Sequence, residues 1–167
     1  QKEFSFLKSI IPFEIDTKIN PIKAFLNLFG KDSYNIERFY NTAFEALLLD
    51  HLKSHSYDVI HFEGLFVTPY VNAIKKQVNT PLLLRQHNIE YQIWERLTNN
   101  QRNPFKKSYL KILTKRLKVY ETHILFSFDR LVSIADTDEQ VLKLLAPHVP
   151  SNTIPGGFII DKNSLAT

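Results

Sequence analysis

The sequence predicts an α/β fold, a parallel sheet flanked by helices. Three observations carry this. Short apolar runs at residues 57–62, 81–86, 131–134 and 152–154 have strand length and no helical period. Segments with apolar residues at steps of three and four lie between them. The runs are apolar at consecutive positions, as in strands covered by helices on both sides. No internal repeat, low-complexity tract or coiled-coil heptad interrupts the pattern.

The elements follow in order. The first 30 residues are rich in apolar side chains but poorly periodic. A strand is expected within 4–13, ended by Pro12 or by the 16–21 stretch, with a loop around 30–33. Tyr40, Phe44, Leu47, Leu48 and Leu52 predict a helix over 36–53, stopped at Ser54 to Ser56. The first strand of the alternating region, 57–62, carries Val59 and Ile60 and runs into Glu63 and Gly64. A short helix over 69–78 and a second strand over 81–86 follow. Then comes a long helix on which Phe105, Tyr109, Ile112, Leu113, Leu117, Tyr120 and Ile124 share a face. Pro104 suits its first turn and Asn103 its cap. The third strand is entered through Asp129 and Arg130. Asp136 or Thr137 is placed to cap a helix through Leu145, which must end before Pro147. The last strand is closed by Pro155, Gly156 and Gly157.

Composition narrows the chemistry. The 167 residues suit one ordinary domain, and 44% apolar with 23% charged residues excludes a disordered tail. The longest purely apolar runs, such as Ala46 to Leu49, are too short to span a bilayer. No leader peptide is visible. Cysteine is absent, which removes disulfides, thiol catalysis and Cys-based zinc sites. Methionine is also absent and the chain opens on Gln1, as expected of a trimmed or partial chain. With only four glycines, no glycine-rich phosphate loop is present.

The net charge is +4, yet Arg102, Lys106, Lys107, Lys111, Lys115, Arg116 and Lys118 form one basic stretch without an acid. Setting those seven aside leaves 14 of the 21 basic residues against 17 acidic ones. On a helix, Lys107, Lys111, Lys115 and Lys118 fall on one face, opposite Leu113, Leu117, Tyr120 and Ile124. Either this is a solvated face of a helix packed on the sheet, or it meets an anionic membrane surface. Nucleic acid is not expected, because no aromatics interleave with the lysines.

Ligands of open parallel sheets bind beyond the carboxyl ends of the strands. Three clusters follow the first three strands: His61-Phe62-Glu63-Gly64, then Arg85-Gln86-His87-Asn88-Ile89-Glu90, then Ala135-Asp136-Thr137-Asp138. The second is the most unusual, since His, Asn and Glu gather where a helix N-terminus favours an anion. Asn88 can cap that helix and Glu90 favour its dipole, or both can face a ligand. His87 has no such structural task. Glu63 is a solvated loop acid or a cleft residue, and Gly64 permits a tight turn or a close approach. His61 is read as a packed histidine and Trp94 as core. His61, Glu63, His87 and Glu90 could offer metal ligands, but no His-Glu-x-x-His and no cysteine accompany them, so no metal is expected. A hydrolase triad lacks its Gly-x-Ser-x-Gly elbow.

These residues carry a likeness. Tyr57-Asp58-Val59-Ile60-His61-Phe62-Glu63-Gly64 with Pro69-Tyr70 forms one piece. Leu84-Arg85-Gln86-His87-Asn88-Ile89-Glu90-Tyr91 with Trp94-Glu95-Arg96-Leu97 forms the next. Asp129-Arg130-Leu131-Val132-Ser133-Ile134-Ala135 with Asp138 is the third, and Ile154-Pro155-x-Gly157 the exit. Over about residues 35–160 the chain resembles the N-terminal half of glycosyltransferase family 4-like enzymes, which have the GT-B architecture. The resemblance implies two Rossmann-like domains facing a cleft. It implies transfer of a sugar, with retention and without a metal or other cofactor, from a nucleotide sugar to a glycan or lipid-linked acceptor. The N-terminal half mainly holds the acceptor. The C-terminal half binds the nucleotide through a pair of glutamates.

By position, His87 matches the family histidine that reaches the donor sugar and is the catalytic candidate. Glu63, Gly64, Arg85, Asn88, Glu90 and Asp136 are the candidate acceptor or sugar contacts. Sugar hydroxyls need such mixed donors and acceptors, and a neutral imidazole can stabilise developing oxocarbenium charge without a metal. Residues 1–160 would form the acceptor-side domain, with its first strand and glycine-rich loop upstream of Gln1. Residues 161–167 would begin the linker to a nucleotide-sugar-binding domain beyond Thr167. The chain alone would then be catalytically incomplete. Its expected setting is the cytoplasm, in cell-envelope polysaccharide synthesis at the inner face of the membrane. Glu37 and Glu45 mimic the glutamate pair by chance, on an early helix in the wrong half. Phe158-Ile159-Ile160 delays Asp161 relative to the family pattern and weakens the hinge assignment. Two alternatives stand beside this reading: a non-catalytic Rossmann-like binding module, and a peripheral membrane-binding module using the lysine-faced helix over 104–127.

Overall fold

The computed structural model describes residues 7–156. The start of the first expected strand, Gly157 of the exit segment and the linker at 161–167 lie outside them. The described part of that strand is irregular: residues 7–20 form neither helix nor strand. A helix the periodicity did not predict comes next, α1 (Pro21–Asn27). Asn20 starts it by accepting hydrogen bonds from Ile22 N (3.0 Å) and Lys23 N (3.1 Å), with Pro21 in the first turn.

The single helix expected over 36–53 is two, α2 (Tyr34–Glu37) and α3 (Thr42–Ser54). A distant residue makes the break. The Tyr70 hydroxyl donates to Phe39 O at 2.7 Å and accepts from Asn41 N at 2.9 Å. Asn41 then caps α3 through Ala43 N and Phe44 N. Strand β1 (Ile60–Glu63) starts later than expected and is followed at once by a 3-10 segment (Leu65–Tyr70) and α4 (Val71–Gln77). The remaining elements are β2 (Leu82–Gln86), α5 (Glu90–Asn100), α6 (Pro104–Leu125), β3 (Arg130–Ser133), α7 (Asp136–Leu145) and β4 (Ser151–Thr153). Asn103 caps α6 by accepting from Lys106 N at 3.1 Å, as expected. Neither Asp136 nor Thr137 caps α7; Ala135 holds the cap position without a side-chain bond.

The four strands are all parallel, in the order β1-β2-β3-β4. Alternation gives the sheet two unlike faces. One buries Phe62, Leu82, Leu84, Gln86, Leu131 and Ser133. Leu117 and Leu125 of α6, Leu142 of α7 and Val71 and Ile74 of α4 belong to the same core. The other face carries His61, Glu63, Leu83, Arg85, Arg130 and Val132, and of these only Val132 is buried. Burial on both sides, read from the apolar runs, therefore holds on one side among the described residues. The runs mislead because Val59 precedes the strand and stays exposed, while Leu83 is only half-buried.

Helix α6 buries Leu113, Leu117 and Ile124, and half-buries Tyr120, whose hydroxyl meets Thr68 Oγ1 at 2.8 Å. Phe105 and Ile112 leave the expected face: they are 86% and 41% exposed. At about 100° per residue both lie well over a right angle from Leu117. Trp94 packs against both apolar clusters, consistent with its reading as core. Among the described residues no helix is long and apolar enough to cross a membrane.

The inward face of α6 also buries a carboxyl. Glu121 is wholly inaccessible and accepts from Gln86 Nε2 (3.2 Å), Glu90 N (2.9 Å) and Tyr91 N (2.8 Å). Burial pushes its pKa up to about 7, although all three bonds oppose the shift. A carboxyl raised by folding adds stability that is complete below its unfolded value of 4.5 and is lost as pH rises to about 7. Glu121→Gln keeps an acceptor for the helix and removes the titration. Relative to the parent it is expected to lose the decline in stability between pH 4.5 and about 7, measured by denaturant unfolding at several pH values. Glu121→Ala leaves two helix N–H groups without partners and is expected to cost about 2–3 kcal/mol in the same measurement.

Candidate active site at the strand ends

The site begins with register. Glu63 ends β1 directly beside Arg85 of β2, and His87 follows β2 by one residue. The Glu63 carboxylate becomes the hub. Its Oε2 lies 2.6 Å from His87 Nε2, and its Oε1 lies 3.4 Å from Arg85 Nη1 and 3.3 Å from His61 Nε2. His87 and Glu63 are each about half exposed, so the pair opens to solvent while being held from the sheet. Desolvation pushes the Glu63 carboxyl up, but hydrogen bonds from His87 and Arg85 and the charges of His61 and Arg85 outweigh it. The net result lies below the usual carboxylate value.

The turn beyond β1 requires Gly64. Its φ is +87° with ψ 164°, a region that side chains with a Cβ avoid. No heavy atom lies within 4 Å of where a Cβ would sit, so the need is for the backbone conformation rather than a close approach. Gly64 N donates to Arg85 O at 2.8 Å and prolongs the β1–β2 pairing past the last side chain of the site.

The other expected residues divide. Asn88 is exposed and does not cap α5, whose cap position is Ile89. The first-turn N–H groups of Glu90 and Tyr91 are taken by Glu121, thirty residues away. A carboxyl group does sit at this helix start, but it belongs to the chain itself. Glu90 is half-buried, which raises its carboxyl pKa, with the nearby His87 charge opposing. Asp136 is exposed in the first turn of α7, and no hydrogen bond or ion pair joins it to the Glu63 group among the described residues.

His61 corrects the sequence-based reading. It is not packed inside; its side chain is 44% exposed and reaches Glu63. The signal was present in the period of the strand, since His61 and Glu63 are two residues apart and must share a face. Among the described residues no group of three His, Cys, Asp or Glu side chains is arranged to hold a metal ion. A concavity of about 700 Å³ lies elsewhere, lined by Lys18, Asn20, Lys23, Glu37 and Arg38 among others, none of them in this group. Comparison of the chain with family models, curated proteins and solved structures finds no match.

Geometrically, Glu63 fixes the ring of His87 from one nitrogen and leaves the rest of the imidazole toward solvent. Such a pair can present a hydrogen-bonding or proton-carrying nitrogen to a polar ligand. The depressed Glu63 carboxyl contributes stability present above the ordinary value of 4.5 and lost as pH falls through the lowered one. Carboxyl-carbon NMR is expected to place its midpoint below 4.5, and His87→Ala is expected to move it upward. Gly64→Ala is expected to cost about 1–3 kcal/mol in unfolding free energy.

Proposed function

We propose that this chain is the acceptor-side domain of a retaining glycosyltransferase of the family 4-like, GT-B group. The observation that supports it most is the contact between Glu63 and His87 at the carboxyl ends of adjoining parallel strands. The first two motifs of the resemblance are thereby neighbours at the edge where open parallel sheets bind ligands.

In this reading a nucleotide-sugar donor is held mainly by a second domain outside these residues, and the acceptor lies against the strand ends. His87 touches the donor sugar. Glu63 acts through His87 as a positioning residue, orienting its ring and stabilising positive charge on it. Departure of the nucleotide builds oxocarbenium character at the anomeric carbon. Dipoles and charges fixed beforehand stabilise such charge at little reorganisation cost. Arg85 holds the Glu63 carboxylate oxygen that His87 does not touch, and His61 approaches that same oxygen at 3.3 Å. Asn88 and Glu90 flank His87 and offer the mixed polarity that hydroxyl recognition needs. Asp136, one strand further along the sheet, stands at the border of the acceptor region.

In the complete protein, His87→Ala is expected to lower sugar transfer at least about tenfold, since a transition-state contact is worth at least ~1.4 kcal/mol. A smaller loss removes His87 from the catalytic role. Glu63→Gln keeps a hydrogen bond to His87 and loses the charge. It is expected to lower kcat while leaving the acceptor KM nearly unchanged and to shift the acidic limb of the rate profile, which a purely structural Glu63 would not do.

A further inference from the structure

The concavity of about 700 Å³ is bounded by the irregular segment 15–20, α1 and α2, and no residue of the Glu63–His87 group lines it. Most of its lining precedes residue 35, upstream of the stretch that carries the family likeness. Distant elements brace its wall. Arg116 of α6 donates to Asn27 Oδ1 at 3.0 Å, and Asn27 Nδ2 donates to Glu37 Oε2 at 2.8 Å. The hydroxyl of the buried Tyr34 accepts from Asn20 N at 2.8 Å, and Arg38 Nη1 donates to Thr17 O at 3.1 Å. The Tyr70 hydroxyl fixes Asn41 N at 2.9 Å. A hollow braced in this way takes a ligand with little loss of conformational freedom, which favours affinity.

The lining carries both signs of charge in equal number. Lys18, Lys23 and Arg38 stand with Asp16, Asp32 and Glu37, and among the described residues no ion pair joins any two of the six. The lysine face of α6 differs. There Lys107 Nζ donates to Asn99 O, Lys118 lies over the Tyr91 ring at 4.5 Å, and Lys111 and Lys115 are exposed with no acid between Pro104 and Tyr120. Mixed charge restricts what the concavity can hold. A phosphate or nucleotide would meet three carboxylates, and a metal ion would meet three cations. A lipid tail would find only Ile15 and Leu26 as aliphatic side chains in the lining. A sugar hydroxyl both donates and accepts, so it can use ammonium, guanidinium, carboxylate and amide groups on one wall. It also needs no net countercharge, and the six charges cancel.

We infer that this concavity binds a neutral oligosaccharide, at a site separate from Glu63 and His87. Its volume lies in the range of small-ligand sites, while its lining is far more polar than is usual for them. Lys18, Lys23 and Asp32 are exposed and supply the donors and acceptor nearest to solvent. The braced groups, Asn20, Asn27 and Glu37, shape the wall behind them. The inference rests on this lining and not on sugar transfer, and its test measures binding alone.

The test is titration of the nitrogen-15-labelled full chain, followed by amide NMR, with maltotetraose, cellotetraose, mannotetraose and chitotetraose in turn. At least one is expected to move the amides of residues 15–41 saturably at or below about 10 mM, the weak end of specific affinity. Lys18→Gln with Asp32→Asn keeps the net charge and alters only exposed side chains, and the same spectra report that the fold is intact. It is expected to weaken that binding about fivefold or more, since two hydrogen bonds to charged groups are lost. Lys76→Gln with Asp58→Asn makes the same exchange at exposed positions away from the concavity and is expected to change nothing. Absence of saturable shifts with all four sugars overturns the inference, as does equal weakening by the two double variants. Shifts centred on Glu63 and His87 instead of residues 15–41 overturn it too, because the sugar would then lie at the strand ends. So does sodium phosphate that moves the same amides at a lower concentration than any sugar, which would make the concavity an anion site.

Discussion

The carboxylate of Glu121 ties the sheet, the long helix and the site together. It stands on α6, lies under the end of β2 through Gln86, and accepts the first N–H groups of α5. A buried carboxylate without partners would be untenable, and a buried helix start without acceptors would be nearly so. Each remedies the other's cost. This side chain therefore ties the start of α5 to the end of β2, and with them the short path that carries His87 and Asn88 between the two. Burial holds the pKa of this carboxyl up at about 7 despite the three bonds it accepts.

The same path explains why the site is polar yet ordered. His87 leaves the sheet immediately after a buried glutamine, Gln86, and two residues before a buried isoleucine, Ile89. Its backbone is thereby held at both ends while its ring remains exposed. Glu63 reaches it from the next strand, and Gly64 turns the chain away before a further side chain can crowd the pair. Against desolvation, hydrogen bonds from His87 and Arg85, with the charges of His61 and Arg85, hold the Glu63 carboxyl below its usual pKa. Rigidity comes from the sheet register and exposure from the strand ends, the combination that suits recognition of a hydrated ligand.

Much of this was legible in the sequence. The four strands, the parallel arrangement, Asn103 as a cap and the position of α6 all followed from period and punctuation. His87 and Glu63 followed from the rule that strand ends bind ligands. Other features were hidden for identifiable reasons. Helix α1 is too short to show a period, although Asn20-Pro21 marks its start. The interruption between α2 and α3 depends on a hydroxyl at residue 70, and local spacing carries no trace of it. His61 was misread because a histidine inside an apolar run looks packed until the uncovered face of the sheet is known.

By itself the sequence determined the class of fold, the order of its elements and the residue types at each strand end. These are local matters: period, turn chemistry and apolar content are written within a few residues of where they act. The tertiary structure decided which of those residues meet. That Glu63 holds His87, that Glu121 rather than Asn88 completes α5, and that Phe105 and Ile112 face outward all depend on contacts between distant parts of the chain. Spacing along a sequence fixes angle around a helix or side of a strand, but not which neighbour lies opposite. That choice is made only when the elements pack.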